Sequence, residues 1–165
     1  EGLSAKHLLK NSKKLIILKA FTKLYGMAGV RLGCCLCSDT ELLARMRAAG
    51  QPWAVSSLAQ AAGIAALDET EYVAKVRALI EAQRPVLADG LRALGLRVIE
   101  GRANYLLFRA PEALGEALRR KGAVLRSCGN YPGLDASWYR TAVRTENENR
   151  QLLALLAETL PEVAQ

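Results

Sequence analysis

AFTKLYGMAGVRLG, residues 20–33, follows the apolar run KLIILKAF (14–21) and leads into a second one, GCCLCS (33–38). A continuous apolar run is the mark of a strand covered on both faces in a parallel sheet, so both runs read as buried strands. The piece between them, TKLYGMAGVRLG (22–33), holds three glycines and has no clean period, which reads as a loop. A lysine at the end of a buried strand, ahead of a glycine-bearing loop, keeps its amine beside a pocket instead of in bulk water. A lysine that condenses with a carbonyl needs such a place, because the unprotonated amine is the nucleophile and partial burial lowers its pKa. That lysine is Lys23. Eight residues on, Arg31 sits among small residues, where a guanidinium can make paired hydrogen bonds to phosphate. Thr22 adds a hydroxyl. Any one Lys or Arg alone reads as a solvated surface charge; the combined pattern behind an apolar strand points to a cofactor site.

Outward from this segment the chain becomes helical. Residues 1–12 read as the tail of a helix or a linker, and the chain opens without Met, as a fragment of a longer protein would. Asp39 caps a helix over TELLARMRAAG (40–50), stopped by Gly50. SSLAQAAGIAALD (56–68) is small and apolar, suited to tight packing or an oligomer interface. TEYVAKVRALIEAQRPVLADGLRALG (70–95) carries apolar residues at helical spacing, with Pro85 as a kink or break. After Gly95 the pattern changes to a compact α/β unit. LRVIEG (96–101), YLLFRA (105–110), AVLRSC (123–128) and WYRTAVR (138–144) read as strands. PEALGEALRRKG (111–122) and ENRQLLALLAETL (148–160) read as helices, and GNYPGLDAS is a turn-rich loop. The expected domains are 1–95, the end of a large domain with long connecting helices, and 96–165, a small α/β domain.

Composition narrows the function classes. The 165 residues are 51% hydrophobic and carry a net charge of +7, from 23 Lys and Arg against 16 Asp and Glu. Such a chain can bury a core. Its basic balance suits nucleic acid or anionic small molecules. The positive residues are scattered and aromatics amount to 5%, so base-stacking platforms are scarce and nucleic acid is not the expected partner. No stretch is apolar for long enough to cross a membrane, and the N-terminus lacks the form of a signal peptide. Cys34, Cys35 and Cys37 share one apolar segment and His7 is the only histidine, so no metal site is expected. Reduced cysteines and the lack of an export signal favour the cytoplasm.

The lysine segment, with Thr-Lys and then Gly-x-Arg-x-Gly, resembles the cofactor motif of the pyridoxal-phosphate (PLP) enzymes of fold type I. These are the aminotransferase class I/II family, and the resemblance is to the branch that contains histidinol-phosphate aminotransferases. It implies the aspartate-aminotransferase fold, α/β throughout: the end of its large domain and then its small C-terminal domain. It implies that Lys23 holds PLP covalently and that Arg31 and Thr22 bind the PLP phosphate. Ala20 departs from the pattern, since relatives often carry Ser or Thr there; one phosphate hydrogen bond is missing or comes from another donor. GRANYLLFR (101–109), QPWAVSSLAQAAG (51–63) and RSCGNYPGLDASWYRTAVR (126–144) are similar to the threonine-phosphate decarboxylase members of the family.

That similarity implies a substrate with two anionic ends, L-threonine O-3-phosphate, gripped by Arg126 and Arg140 with Asn104 nearby. It implies decarboxylation to (R)-1-amino-2-propanol O-2-phosphate for cobalamin biosynthesis, by a homodimer. Alternatives stay open. One arginine of the pair could be a structural ion-pair partner, and Asn104 a turn residue. Tyr131 and Tyr139 read as packing, Tyr25 as pocket wall or interface, Trp53 as core or partner contact, and Arg144 as peripheral. The reaction could be a histidinol-phosphate-type transamination. The 165-residue chain by itself could be a folded piece that cannot retain PLP.

Overall fold

The computed structural model describes residues 4–163, which divide into two compact units, one up to Ala74 and one from Lys75 onward.

In the first unit a short 3-10 helix, Ala5–Asn11, precedes strand β1, Ile17–Ala20, and strand β2, Gly33–Leu36. The two strands pair antiparallel, Ile17 opposite Leu36 and Ala20 opposite Gly33. This corrects the expectation of buried parallel strands. A parallel pair needs a long crossover, usually a helix. Residues 21–32 form only turns, so the chain doubles back as a long-looped hairpin. Nor is the hairpin covered: Leu18 is 78% exposed and Cys34 faces solvent.

Helix α1, Thr40–Ala49, starts where expected, with the Asp39 carboxylate accepting from Leu42 N–H at 2.9 Å. It stops at Gly50, whose backbone is extended rather than left-handed. Helix α2, Ser57–Asp68, is capped by the Ser56 hydroxyl and buries a stripe of small residues, Ala59, Gly63 and Ala66. A Cβ at Gly63 would lie 2.4 Å from Leu32 Cδ2, so the missing side chain is what lets α2 approach the end of the loop. Trp53 is 94% exposed, which removes its reading as a core residue.

The second unit is a two-layer α/β structure. Helix α3, Thr70–Ala93, runs through Pro85 without a break. Its end is a Schellman turn: Gly95, at a φ of 79°, donates to Arg92 O at 2.9 Å, and Leu96 N–H donates to Leu91 O at 3.2 Å. Strands β3 (Arg97–Ile99), β4 (Tyr105–Arg109), β5 (Arg126–Ser127) and β6 (Trp138–Ala142) form an antiparallel sheet in the order β3-β4-β6-β5. β5 is much shorter than AVLRSC suggested.

Alternation along the strands separates two faces. Val98, Leu106, Phe108, Tyr139 and Thr141 share one, and it meets Leu87 and Leu91 of α3, Leu114 and Leu118 of α4 (Leu114–Arg120) and Leu156 of α5 (Glu146–Val163). Phe108 and Tyr139 stack there with ring centroids 6.0 Å apart. Tyr139 is buried and tied to the start of α4: its hydroxyl donates to Glu112 O at 2.6 Å and accepts from Gly115 N–H at 3.2 Å. Its role is packing, as expected.

Helix α5 begins two residues earlier than its apolar pattern indicates. The cause is a capping box: the Thr145 hydroxyl accepts from Glu148 N–H at 3.4 Å, and the Glu148 carboxylate accepts from Thr145 N–H at 3.2 Å. Arg144 lies outside this cap, exposed and paired with Glu148 at 2.9 Å.

Candidate active site

The lysine loop is closed at its base. Phe21 N–H donates to Leu32 O at 3.2 Å, continuing the β1–β2 ladder by one bond. Thr22 and Lys23 rise from one foot of the loop and Arg31 from the other. Gly26, at a φ of 65°, turns the chain back and donates to Lys23 O at 3.3 Å. The Phe21 and Tyr25 rings stack 5.2 Å apart, so Tyr25 stiffens the first turn.

Arg31 also has a left-handed φ, 59°. This costs a residue with a Cβ roughly 1–2 kcal/mol, and such strain tends to sit at functional positions. Its Nη1 donates to Ala28 O at 3.1 Å, bringing the side chain back across the loop; its other N–H groups make no bond among the described residues. Lys23 is exposed, contrary to the expectation of a shielded amine. Leu32, at the end of the loop, is the residue that packs against Gly63 of α2.

The second cluster occupies the sheet face turned away from the core. Arg126 on β5 stands directly opposite Arg140 on β6. Like charges placed opposite each other repel, so the pair needs compensation. Aromatic faces supply part of it. The Arg140 guanidinium carbon lies 4.0 Å from the centre of the Tyr105 ring, and that of Arg126 lies 5.9 Å from Tyr131. Arg140 Nη1 donates to the Tyr131 hydroxyl at 3.4 Å, and Arg126 Nη2 donates to Asn130 Oδ1 at 3.3 Å.

Arg140 Nε is buried and has no hydrogen-bond partner among the described residues. Among the described residues no carboxylate forms an ion pair with either guanidinium, in contrast to Arg109 on the same face, which lies 3.9 Å from Asp135. Arg126 is exposed and Arg140 half-buried, and with one unmet donor the pair is a candidate anion site. Asn104 is exposed just before β4, and its backbone carbonyl accepts from Val143 N–H at 2.9 Å.

The lysine loop and the arginine pair therefore lie in different units. Tyr105 and Asn130 were not singled out in the sequence. The signal for Tyr105 was its spacing: strand alternation from the buried Leu106 and Phe108 puts it on the face that Arg140 shares. Among the described residues no three His, Cys, Asp or Glu side chains gather to hold a metal ion, and no helix is long and apolar enough to cross a membrane.

The fold is that of the PLP-dependent aminotransferases. The family profile for aminotransferase class I and II matches residues 2–156, and the chain belongs to that family. It is 37% identical over 160 residues to the threonine-phosphate decarboxylase of Salmonella typhimurium, covering 94% of this chain and 44% of that protein. It is equally similar to the histidinol-phosphate aminotransferase of Symbiobacterium thermophilum, 37% identical over 158 residues, covering 94% of this chain and 43% of that protein.

Among solved structures, the histidinol-phosphate aminotransferase of Clostridium acetobutylicum superposes with a TM-score of 0.92 at 30% identity, over 98% of this chain and 50% of that one. The corresponding enzyme of Sinorhizobium meliloti, solved in complex with PLP, superposes with a TM-score of 0.72 at 25% identity, over 92% and 41%. The chain thus spans less than half the length of the curated relatives it matches.

PLP is the cofactor of this family. It presents an aldehyde and a phosphate dianion. The feet of the lysine loop carry an amine, a hydroxyl and a guanidinium, and the Phe21–Leu32 bond holds those feet together. The donor set fits the group.

Proposed function

We propose that the full-length protein decarboxylates L-threonine O-3-phosphate to (R)-1-amino-2-propanol O-2-phosphate, a step of cobalamin biosynthesis. In this reading Lys23 holds PLP covalently, and Thr22 and Arg31 bind its phosphate. When bound, the cofactor supplies an electron sink for the pair left at Cα when a bond there breaks. Arg126 and Arg140 hold the two anionic ends of the substrate, Asn104 lies at the rim, and Lys23 or a water returns a proton to Cα once carbon dioxide has left.

The observation that carries the reading is the arginine pair itself. Two guanidiniums stand opposite each other on β5 and β6 without carboxylate partners among the described residues, and one keeps a buried Nε–H unmet by them. That arrangement fits a ligand with two anions better than a ligand with one. The similarity to the Salmonella decarboxylase supports it.

The equal similarity to histidinol-phosphate aminotransferases favours a second reading, transamination on the same scaffold. There the bond aligned for cleavage is Cα–H, and an oxo acid takes the amino group in a second half-reaction. Both readings assign residues 1–95 to the end of the large domain and 96–165 to the small one. They place the protein in the cytoplasm as a homodimer; the exposed Leu58, Ile64 and Leu67 on α2 support a subunit contact. With less than half a relative's length, the 165-residue chain alone is expected to show no turnover, and detectable turnover would refute this.

The deciding experiment gives the full-length protein PLP and L-threonine O-3-phosphate without any oxo acid. Carbon dioxide and aminopropanol phosphate are the expected products. No product, together with transamination of histidinol phosphate by 2-oxoglutarate, would move the enzyme to the second reading.

A further inference from the structure

Tyr131 touches both arginines of the pair, each with a different part of its side chain. Its ring lies under Arg126, with the guanidinium carbon 5.9 Å from the centroid, and its hydroxyl accepts from Arg140 Nη1 at 3.4 Å. Its backbone is held by two successive turns. Tyr131 N–H donates to Cys128 O at 2.9 Å, and Tyr131 O accepts from Leu134 N–H at 3.0 Å. The second turn has Pro132 at its second position and Gly133, with a φ of 85°, at its third, the pattern of a type II turn. Cys128, at the base of the first turn, is buried. The backbone of Tyr131 is therefore preset by the YPG sequence, independently of the arginines. On their other sides the arginines have separate partners: the Arg140 guanidinium carbon lies 4.0 Å from the Tyr105 ring centre, and Asn130 accepts from Arg126.

We propose that Tyr131 is a positioning residue that sets the separation between the Arg126 and Arg140 anion sites, and so selects amino acids whose carboxylate lies at a fixed distance from a second anionic group. The inference rests on the reading of this arginine pair as the substrate's anion sites. Arg126 and Arg140 repel one another, and an arginine side chain has many rotamers. Without the bridge the two guanidiniums would swing apart, and a ligand gripping both would have to draw them back. A ligand that uses a single site would not register the change.

The test uses the full-length, PLP-loaded protein and Tyr131→Phe, which keeps the ring against Arg126 and removes the bond to Arg140. The KM for L-threonine O-3-phosphate should rise about tenfold, the scale of one lost hydrogen bond to a charged group. The inhibition constant of L-threonine, which lacks the phosphate, should stay as in the wild type. Tyr131→Ala, which also removes the ring, should widen the gap between the two ligands further. Equal weakening of both ligands would show a general loosening of the sheet and overturn the proposal, as would an unchanged KM. If the wild-type protein neither binds nor turns over L-threonine O-3-phosphate, the assignment of the anion sites fails, and the role of Tyr131 fails with it.

Discussion

The unit up to Ala74 and the unit from Lys75 onward put their apolar side chains in opposite places. In the first, the buried side chains are small, Ala59 and Ala66, while Leu18, Trp53 and Leu58 stand open to solvent. In the second, Phe108, Leu87, Leu91, Leu114, Leu118 and Leu156 are sealed in one cluster between a sheet and three helices. The first unit displays a lysine loop on a hairpin that pairs with nothing further among the described residues. The second holds its arginine pair on a sheet braced from behind by a full core. The two candidate sites thus rest on supports of different kinds. The lysine loop depends on local bonds, Phe21 to Leu32 and Gly63 against Leu32, whereas the arginine pair inherits the rigidity of a packed layer.

The largest effect expected from breaking this contrast is at the lysine. In the full-length protein Lys23→Ala removes the only amine of the loop, and turnover should fall by on the order of 10³-fold while the unfolding midpoint stays near that of the wild type. Activity surviving at a tenth of wild type would dismiss Lys23 as the cofactor-holding residue. Next in size is Phe108→Ala, which opens a cavity beneath the sheet and should lower the stability of the second unit by roughly 3–5 kcal/mol. Hydrogen exchange provides the sharper readout. Amides of β4 and β6 should lose protection, while those of β1 and β2 should be unchanged from the wild type.

Gly63→Ala probes the first unit in the same way. The new Cβ meets the tip of Leu32, a side chain that can rotate, so the cost should be about 1 kcal/mol, at the low end for overpacking. Faster exchange at Phe21 N–H, which bonds to Leu32 O, would localise the damage to the foot of the loop.

The smallest effect concerns acid. Asp135 is held below its ordinary carboxyl value of 3.8, first by the Ser137 hydroxyl, then by the Ser137 backbone N–H, with Arg109 adding a weaker pull. A carboxyl with a lowered folded pKa contributes stability that is complete above the unfolded value and vanishes as pH falls through the folded one. The second unit should therefore lose a small part of its stability below pH 3.8, and Asp135→Asn should flatten that limb in acid titrations followed by circular dichroism.

Much of the site was legible in the chain itself. Lys23, Thr22 and Arg31 stood out because a loop of glycines between two apolar runs concentrates chemistry in few residues. The helix start at Asp39 and the stops at Gly50 and Gly122 followed from local bonding rules; the Ser56 cap and the turn at Gly95 were not read from the chain. The start of α5 was missed because the apolar pattern, and not Thr145-x-x-Glu148, was used to place it. The direction of β1 and β2 was missed for a related reason: an apolar run reports that a strand forms, not which neighbour it pairs with.

Local preference and periodicity are written within a few residues of each position, and the sequence by itself determined that much: most of the elements, the cap at Asp39, the lysine loop and the family to which they belong. Strand register is a relation between distant segments. It alone placed Arg126 opposite Arg140, Tyr105 beneath one of them and Tyr131 between both, because those contacts form only when β4, β5 and β6 lie side by side.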